Sequence, residues 1–287
     1  MKPVPNSAGT SKPRFKVPPN AVDAHLHIYD PRFPMAWPQL RGTPEASVGE
    51  YRLLQQRIGT MRAIVVQPAA YGTDNAVTVD AVRQLGTANA RGIAVLHPGV
   101  RDAELEGLHA GGIRGLRFSM HDPNTAVTSA DMIEPLARRV APLGWHVQVH
   151  MRADQIVEHA AILERLPCPL VFDHMARLPQ PEGTRHAAFA FVMGLLEARR
   201  AWVKLSGPYL DTRVGSPRYA DSTKVAREFV QRAPGRLVWG SDWPHPTERT
   251  KPDDAVLLDL VQEWARDEET RRRVLVDNPA ELYGFPI

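Results

Sequence analysis

A chain of 287 residues can form one large domain or two ordinary ones, and its 43% hydrophobic and 23% charged residues are those of a soluble globular protein. No apolar run approaches the roughly 20 residues of a membrane span, and Cys168, the single cysteine, excludes an internal disulfide and suits a reducing cytoplasm. The net charge of +3 is spread along the chain; its one basic cluster, Arg271-Arg272-Arg273, follows Asp267-Glu268-Glu269 and reads as a solvated helix face, so neither nucleic acid nor a membrane is expected as a partner.

Residues 1–19 read as an N-terminal arm. The first 20 residues hold five prolines and four Lys or Arg without the apolar core of a secretory leader, and the arm is expected to be flexible or to wrap the surface. From residue 20 to 287, short β-branched runs recur: Ala21–His25, Arg62–Gln67, Ile93–His97, Ile113–Ser119, Trp145–His150, Pro169–His174, Ala201–Ser206 and Arg236–Asp242. Stretches of helical periodicity lie between them, such as Asp131–Leu143, Asp154–Leu166 and His186–Arg199. No GxGxxG or GxxxxGKS/T loop follows any strand, which removes the main support for an open nucleotide-binding sheet. The expected fold is therefore α/β, a single (β/α)8 barrel of the TIM type, regular or distorted, carrying a Pro-rich arm.

In such a barrel functional side chains gather at the C-terminal ends of the strands. His25 and His27 end the first strand, His150 the fifth, Asp173 and His174 the sixth, and Ser241 and Asp242 the eighth. Residues at i and i+2 share a strand face, so His25 and His27 face one cavity, where they can bind a divalent metal or donate to one substrate oxygen. Apolar Val147, Val149 and Met151 should face the helices, which turns His150 inward. The same parity turns Arg117 and Ser119 inward. Arg114, of opposite parity, is the weaker of the two arginine candidates for substrate binding. Lys204, mid-strand and inward, is expected to be ion-paired with Asp23 or Asp173. Gln67, Tyr71 and Asn75, on the polar loop after the second strand, are candidate substrate contacts, and Tyr209, Trp243 and His245 candidate mouth residues. His97, His109, His121, His159 and His186 are expected to be structural.

The stretches Val22-Asp23-Ala24-His25-Leu26-His27, Val171-Phe172-Asp173-His174-Met175, Val203-Lys204-Leu205-Ser206-Gly207 and Trp239-Gly240-Ser241-Asp242-Trp243-Pro244-His245 resemble the amidohydrolase superfamily, and within it the 2-pyrone-4,6-dicarboxylate lactonase-like branch. The resemblance runs from about residue 20 to the end, including Asp277-Asn278-Pro279-Ala280 and Leu282-Tyr283-Gly284. It implies a lactonase acting on a small anionic lactone of a dicarboxylic or sugar acid, with His25, His27, His174 and Asp242 as the catalytic set. Asp242 is the expected general base, and the histidines stabilise the oxyanion. Several members of the branch work without metal, and no lysine stands in Arg114-Gly115-Leu116-Arg117-Phe118-Ser119 to bridge a binuclear centre, so no cofactor is expected. A single zinc on His25, His27, His174 and Asp242 is the alternative chemistry of the same set. The branch often places an arginine near Pro208-Tyr209; here Leu210 and Asp211 follow, and Arg213 is the nearest candidate. A zinc-dependent decarboxylase, a lactone isomerase and an inactive binding barrel are the competing readings, with a monomer or small homo-oligomer as the assembly.

Overall fold

Runs of three to seven apolar and β-branched residues, each too short for a stable helix, become the eight strands of a parallel barrel. The computed structural model describes residues 3–37 and 45–286, so the first two residues of the arm lie outside it. The strands are β1 (Val22–Leu26), β2 (Arg62–Val66), β3 (Ala90–Ala94), β4 (Ile113–Ser119), β5 (His146–His150), β6 (Leu170–Phe172), β7 (Ala201–Leu205) and β8 (Leu237–Trp239), paired in chain order. Helices run between them, the (β/α)8 arrangement expected from sequence. Among the described residues no helix is long and apolar enough to cross a membrane.

β3 begins three residues before its expected start. Ala63 on β2 pairs with Ala90 and donates its amide to Asn89 O at 2.9 Å, which draws Arg91 and Gly92 into the ladder. Gly92 fits because it is bare: a Cβ there would lie 2.4 Å from Ile113 Cδ1. The expected helix over 131–143 is α-helical only at Ile133–Val140, with 3-10 turns on both sides, the second containing Pro142, which has no amide to donate. The one over 154–166 breaks at His159 into Ala153–Glu158 and Ala160–Glu164.

Alternation along the strands sorts the core into two layers. Ala63, Val65, Val147, Val149, Leu170, Phe172, Val203, Leu205, Leu237 and Trp239 belong to the layer beneath the helices. Val22, Ala24, Ile64, Val66, Ile93, Val171, Trp202 and Val238 pack together inside the barrel with Tyr283 and Phe285 of the C-terminal segment. The lumen is thus filled largely with apolar side chains toward the N-terminal ends of the strands, where His146 packs on Tyr283 and Arg62 and Arg91 on Phe285, while the histidine and aspartate side chains at the strand ends gather at the other end.

The barrel closes between β8 and β1. Asp242 N donates to His25 O and His27 N donates to Trp243 O, both at 2.8 Å. Gly240 makes that approach possible, since a Cβ on it would fall 2.6 Å from His25 Cβ and 2.8 Å from His25 N. Asp23, buried on β1, accepts from Ser241 N at 2.9 Å and from Ser241 Oγ at 2.6 Å, tying the turn after β8 to the same seam.

The N-terminal segment, expected to be flexible or to wrap the surface, lies against the barrel. Its prolines lack amides but keep their carbonyls, and the barrel supplies the donors. Trp243 Nε1 donates to Pro5 O at 2.9 Å, while Arg57 forks to Ala8 O and Gly9 O at 2.9 and 2.7 Å. Arg14 closes onto Asp259 through both its amide and its Nε.

Gly240→Ala should test the seam. Overpacking a tight backbone approach costs about 1–3 kcal/mol, so the variant should lose roughly 3–10 °C of Tm with unchanged far-UV circular dichroism. Wild-type Tm would show that β8 does not need the bare backbone.

Candidate active site

A cavity of about 620 Å³ opens over the C-terminal ends of the strands. Its wall includes His27 and Tyr29 from the end of β1, Arg117 and Ser119 from β4, His150 from β5, His174 and Arg177 after β6, and Asp242 after β8. His25 lies just under this floor, fully buried.

Three imidazoles surround one carboxylate. Asp242 Oδ1 lies 3.6 Å from His25 Nε2, 3.6 Å from His27 Nε2 and 3.9 Å from His174 Nε2. Burial works to raise the Asp242 carboxyl, but His174, His27 and His25 outweigh it and hold it well below the usual carboxylate range. Burial lowers His174 to about 4, and burial together with Lys204 drives His25 well below its ordinary value. At neutral pH the site therefore combines an ionised Asp242 with uncharged His25 and His174.

The protons on these rings follow from their partners. His27 Nδ1 donates to Val66 O at 2.8 Å, and Lys204 Nζ lies 3.2 Å from His25 Nδ1. His25 Nδ1 also lies 3.3 Å from Asp173 Oδ1, so that nitrogen meets both a donor and an acceptor, while Nε2 lies 3.2 Å from His27 Nε2. Lys204 also donates to Gln148 Oε1 at 2.7 Å and lies 3.7 Å from Asp173 Oδ1. Asp173 in turn accepts from Arg117 Nε at 3.0 Å and Gln148 Nε2 at 3.1 Å. This buried group of charges is the floor on which His25 and Arg117 stand, and it contains the Lys204 ion pair expected from strand parity.

His174, Met175, Ala176 and Arg177 all have positive φ, between 48° and 59°. Left-handed backbone costs an L-residue roughly 1–2 kcal/mol, so four in succession mark a turn that its surroundings enforce. The turn points His174 and Arg177 into the cavity. Arg177 pairs bidentately with Asp211 at 2.8 and 3.1 Å and reaches His150 Nε2 at 3.0 Å. Strand parity did not reveal Arg177; the available signal was the His-x-x-Arg spacing just after β6. His121, expected to be structural, also lines the cavity, its pKa lowered to about 4 by burial and then Arg177.

Other candidates lie elsewhere. Arg114 donates to His109 O and Ile113 O outside the cavity, as its parity suggests. Gln67, Tyr71 and Asn75 build the loop after β2: Gln67 donates to Gly72 O and Asp74 O, Tyr71 bonds the Asp30 backbone, and Asn75 clasps the Val95 backbone at both of its polar atoms. Short polar side chains in turns serve nearby backbone groups first. Arg213 is exposed on the surface, and Asp211, two residues before it, engages Arg177 instead. Trp243 and His245 are fully buried behind the wall. Tyr209 meets Asp242 from behind, its hydroxyl 2.7 Å from Oδ2 and 2.8 Å from His245 Nδ1.

Residues 22–285 match the amidohydrolase family model. The chain is 37% identical to a 2-pyrone-4,6-dicarboxylate hydrolase of Comamonas testosteroni over 96% of its own length and 94% of the relative's. It is 32% identical to a D-galactarolactone isomerase of Agrobacterium fabrum, over 96% and 94%. The ligand-free crystal structure of an Agrobacterium tumefaciens protein, 30% identical, superposes with a TM-score of 0.86 over 96% of this chain and 99% of that one.

Burial raises the carboxyl of Asp23, which anchors Ser241 beside Asp242, from 3.8 to about 6, against hydrogen bonds from Ser241. The folded state therefore keeps a proton that the unfolded chain has lost between those values, and the Asp23 contribution to stability falls as pH rises through that window. Urea unfolding from pH 4 to 7 should show Asp23→Asn gaining on the wild type by on the order of 2 kcal/mol. A wild-type-to-variant difference that is flat with pH would contradict the shift.

Proposed function

The chain belongs to the amidohydrolase family, and from that premise we propose that it hydrolyses the lactone of a dicarboxylic or sugar acid, with Asp242 as general base. The observation that carries this reading is an ionised carboxylate held among three imidazoles, on the floor of a cavity whose wall holds two guanidinium groups. Relatives of comparable similarity that act on lactones support the substrate class.

Water bound beside Asp242 gives its proton to the carboxylate as its oxygen attacks the lactone carbonyl carbon. His174, on the cavity wall, faces the carbonyl oxygen as it becomes an oxyanion, with the buried His25 beneath it, and one such donor is worth roughly 3 kcal/mol of barrier. The ring C–O bond then breaks, and Asp242 returns its proton to the leaving oxygen. Arg117 and Arg177, each held on one side by an aspartate, suit a substrate carboxylate. The lone, buried Cys168 fits a cytoplasmic setting.

We assign this reaction no metal. Ligand atoms of His25, His174 and Asp242 lie within 4.8 Å of one another, close enough to surround one ion. Binding it would need the His25 Nε2 lone pair, and so a proton on Nδ1, 3.2 Å from the Lys204 ammonium. Lys204 opposes that proton, but Asp173 Oδ1, 3.3 Å from the same nitrogen, would accept it, so these residues could hold a single zinc, which would polarise the carbonyl; the reaction as proposed does not need it.

Asp242→Asn should lower kcat about 10³-fold, within the range for removing a general base, on whichever member of a panel of dicarboxylate and aldarate lactones the enzyme turns over. Product formed in heavy-oxygen water should carry the label. Unlabelled product of unchanged mass would replace hydrolysis with isomerisation. Turnover should also survive prolonged chelation; loss that stoichiometric zinc restores would favour the decarboxylase chemistry instead.

A further inference from the structure

His245 and Asp254 are fully buried, line no part of the cavity, and are not used by the reaction above. They continue a chain of polar contacts that begins at Asp242. Tyr209 OH lies between Asp242 Oδ2 and His245 Nδ1, at 2.7 and 2.8 Å, and His245 Nε2 lies 3.3 Å from Asp254 Oδ2. The same Asp254 oxygen accepts from Ser7 Oγ, which also accepts from Arg57 Nη2. The chain leaves the barrel there and ends in the N-terminal segment.

That segment is gripped at several further points. Arg57 holds the carbonyls of Ala8 and Gly9, Ala8 N donates to Pro252 O at 2.9 Å, and Pro5 O accepts from the Trp243 indole. Trp243 is the neighbour of Asp242, and its own carbonyl accepts from His27 N across the seam. The segment thus reaches Asp242 by two routes, one along the backbone and one through side chains.

The Tyr209 hydroxyl has one proton and two acceptors within reach. Where His245 stands decides how that proton is shared, and His245 is placed by Asp254, whose own position depends on Ser7. We propose that Val4–Gly9 is a positioning element for the reaction, with Ser7 the positioning residue that fixes Asp254, His245 and Tyr209 so that Tyr209 donates to Asp242. This rests on the reading of Asp242 as general base. The carboxylate otherwise faces His25 and His27 from β1 and His174 from the turn after β6, with Tyr29 and Lys251 also acting on it through charge. Tyr209 alone among these belongs to the chain that leads to Ser7.

A hydrogen bond donated to a carboxylate favours its ionised form, so loosening Tyr209 should move the acid limb of kcat/KM to higher pH. In the full-length enzyme, Ser7→Ala should lower kcat about tenfold, as small misplacements remote from the chemistry do. KM should change less than about twofold and the acid limb should rise by about half a pH unit. Ser7→Thr, which keeps the hydroxyl, should restore both. A merely structural role would lower Tm and the active fraction while leaving the limb in place. If Ser7→Ala does not fold, Arg57→Lys, which keeps the cation but lacks the second nitrogen that donates to Ser7 Oγ, should give the same upward shift. An unshifted limb in the folded variant, with Asp242→Asn inactive, overturns the positioning role alone. An active Asp242→Asn overturns the base assignment and the positioning role with it.

Discussion

Between β8 and β1 the sheet is joined by hydrogen bonds from Asp242 N to His25 O and from His27 N to Trp243 O. The residues that close the barrel are therefore the ones whose side chains meet above the lumen. Gly240 lets the two backbones approach, and Asp23 holds Ser241 from below. A backbone ladder fixes side-chain direction to within a fraction of an ångström, which a loop does not. The precision that an acid–base site needs is thus obtained from the same bonds that complete the sheet.

Under the seam, a cationic Lys204, an anionic Asp173 and the Arg117 guanidinium share a fully buried layer with Gln148. Removing charges from water costs several kcal/mol per ion, and only close pairing with satisfied hydrogen bonds offsets it. The layer is better understood as an orienting device than as a source of stability. It encloses His25 Nδ1 between Lys204 and Asp173, and it sets one edge of Arg117, because Asp173 takes Nε. The second consequence appears in the cavity above, where the Arg117 guanidinium faces a space sized for a small molecule.

The turn after β6 is the other costly feature. Four left-handed L-residues oppose folding by several kcal/mol in sum, and the turn is held by Arg177 on Asp211 and by His174 Nδ1 on Ser206 Oγ at 2.9 Å. Strain of this kind survives where surrounding contacts outnumber the ways to relax it. Here it delivers a histidine and an arginine to the cavity from one short stretch of chain.

The sequence by itself determined the barrel, the strand-end positions of His25, His27, His150, His174 and Asp242, and the inward parity of Arg117 and Lys204. These depend on local periodicity, which a single chain carries openly: period two in strands, apolar runs of limited length, and glycine where backbones meet. Only the tertiary structure decided the rest. Arg177 enters the site through left-handed φ angles that no propensity signals, since non-glycine residues adopt them only under tertiary constraint. Gln67, Tyr71 and Asn75 turn away because backbone groups of their own loop need partners first. The arm before β1 lies against the barrel because Arg57 and Trp243, 49 and 238 residues away from the carbonyls of Ala8 and Pro5 that they grip, supply the donors its prolines lack. Contacts across such separations depend on how the chain returns to itself, and periodicity within a window of a few residues holds no record of it.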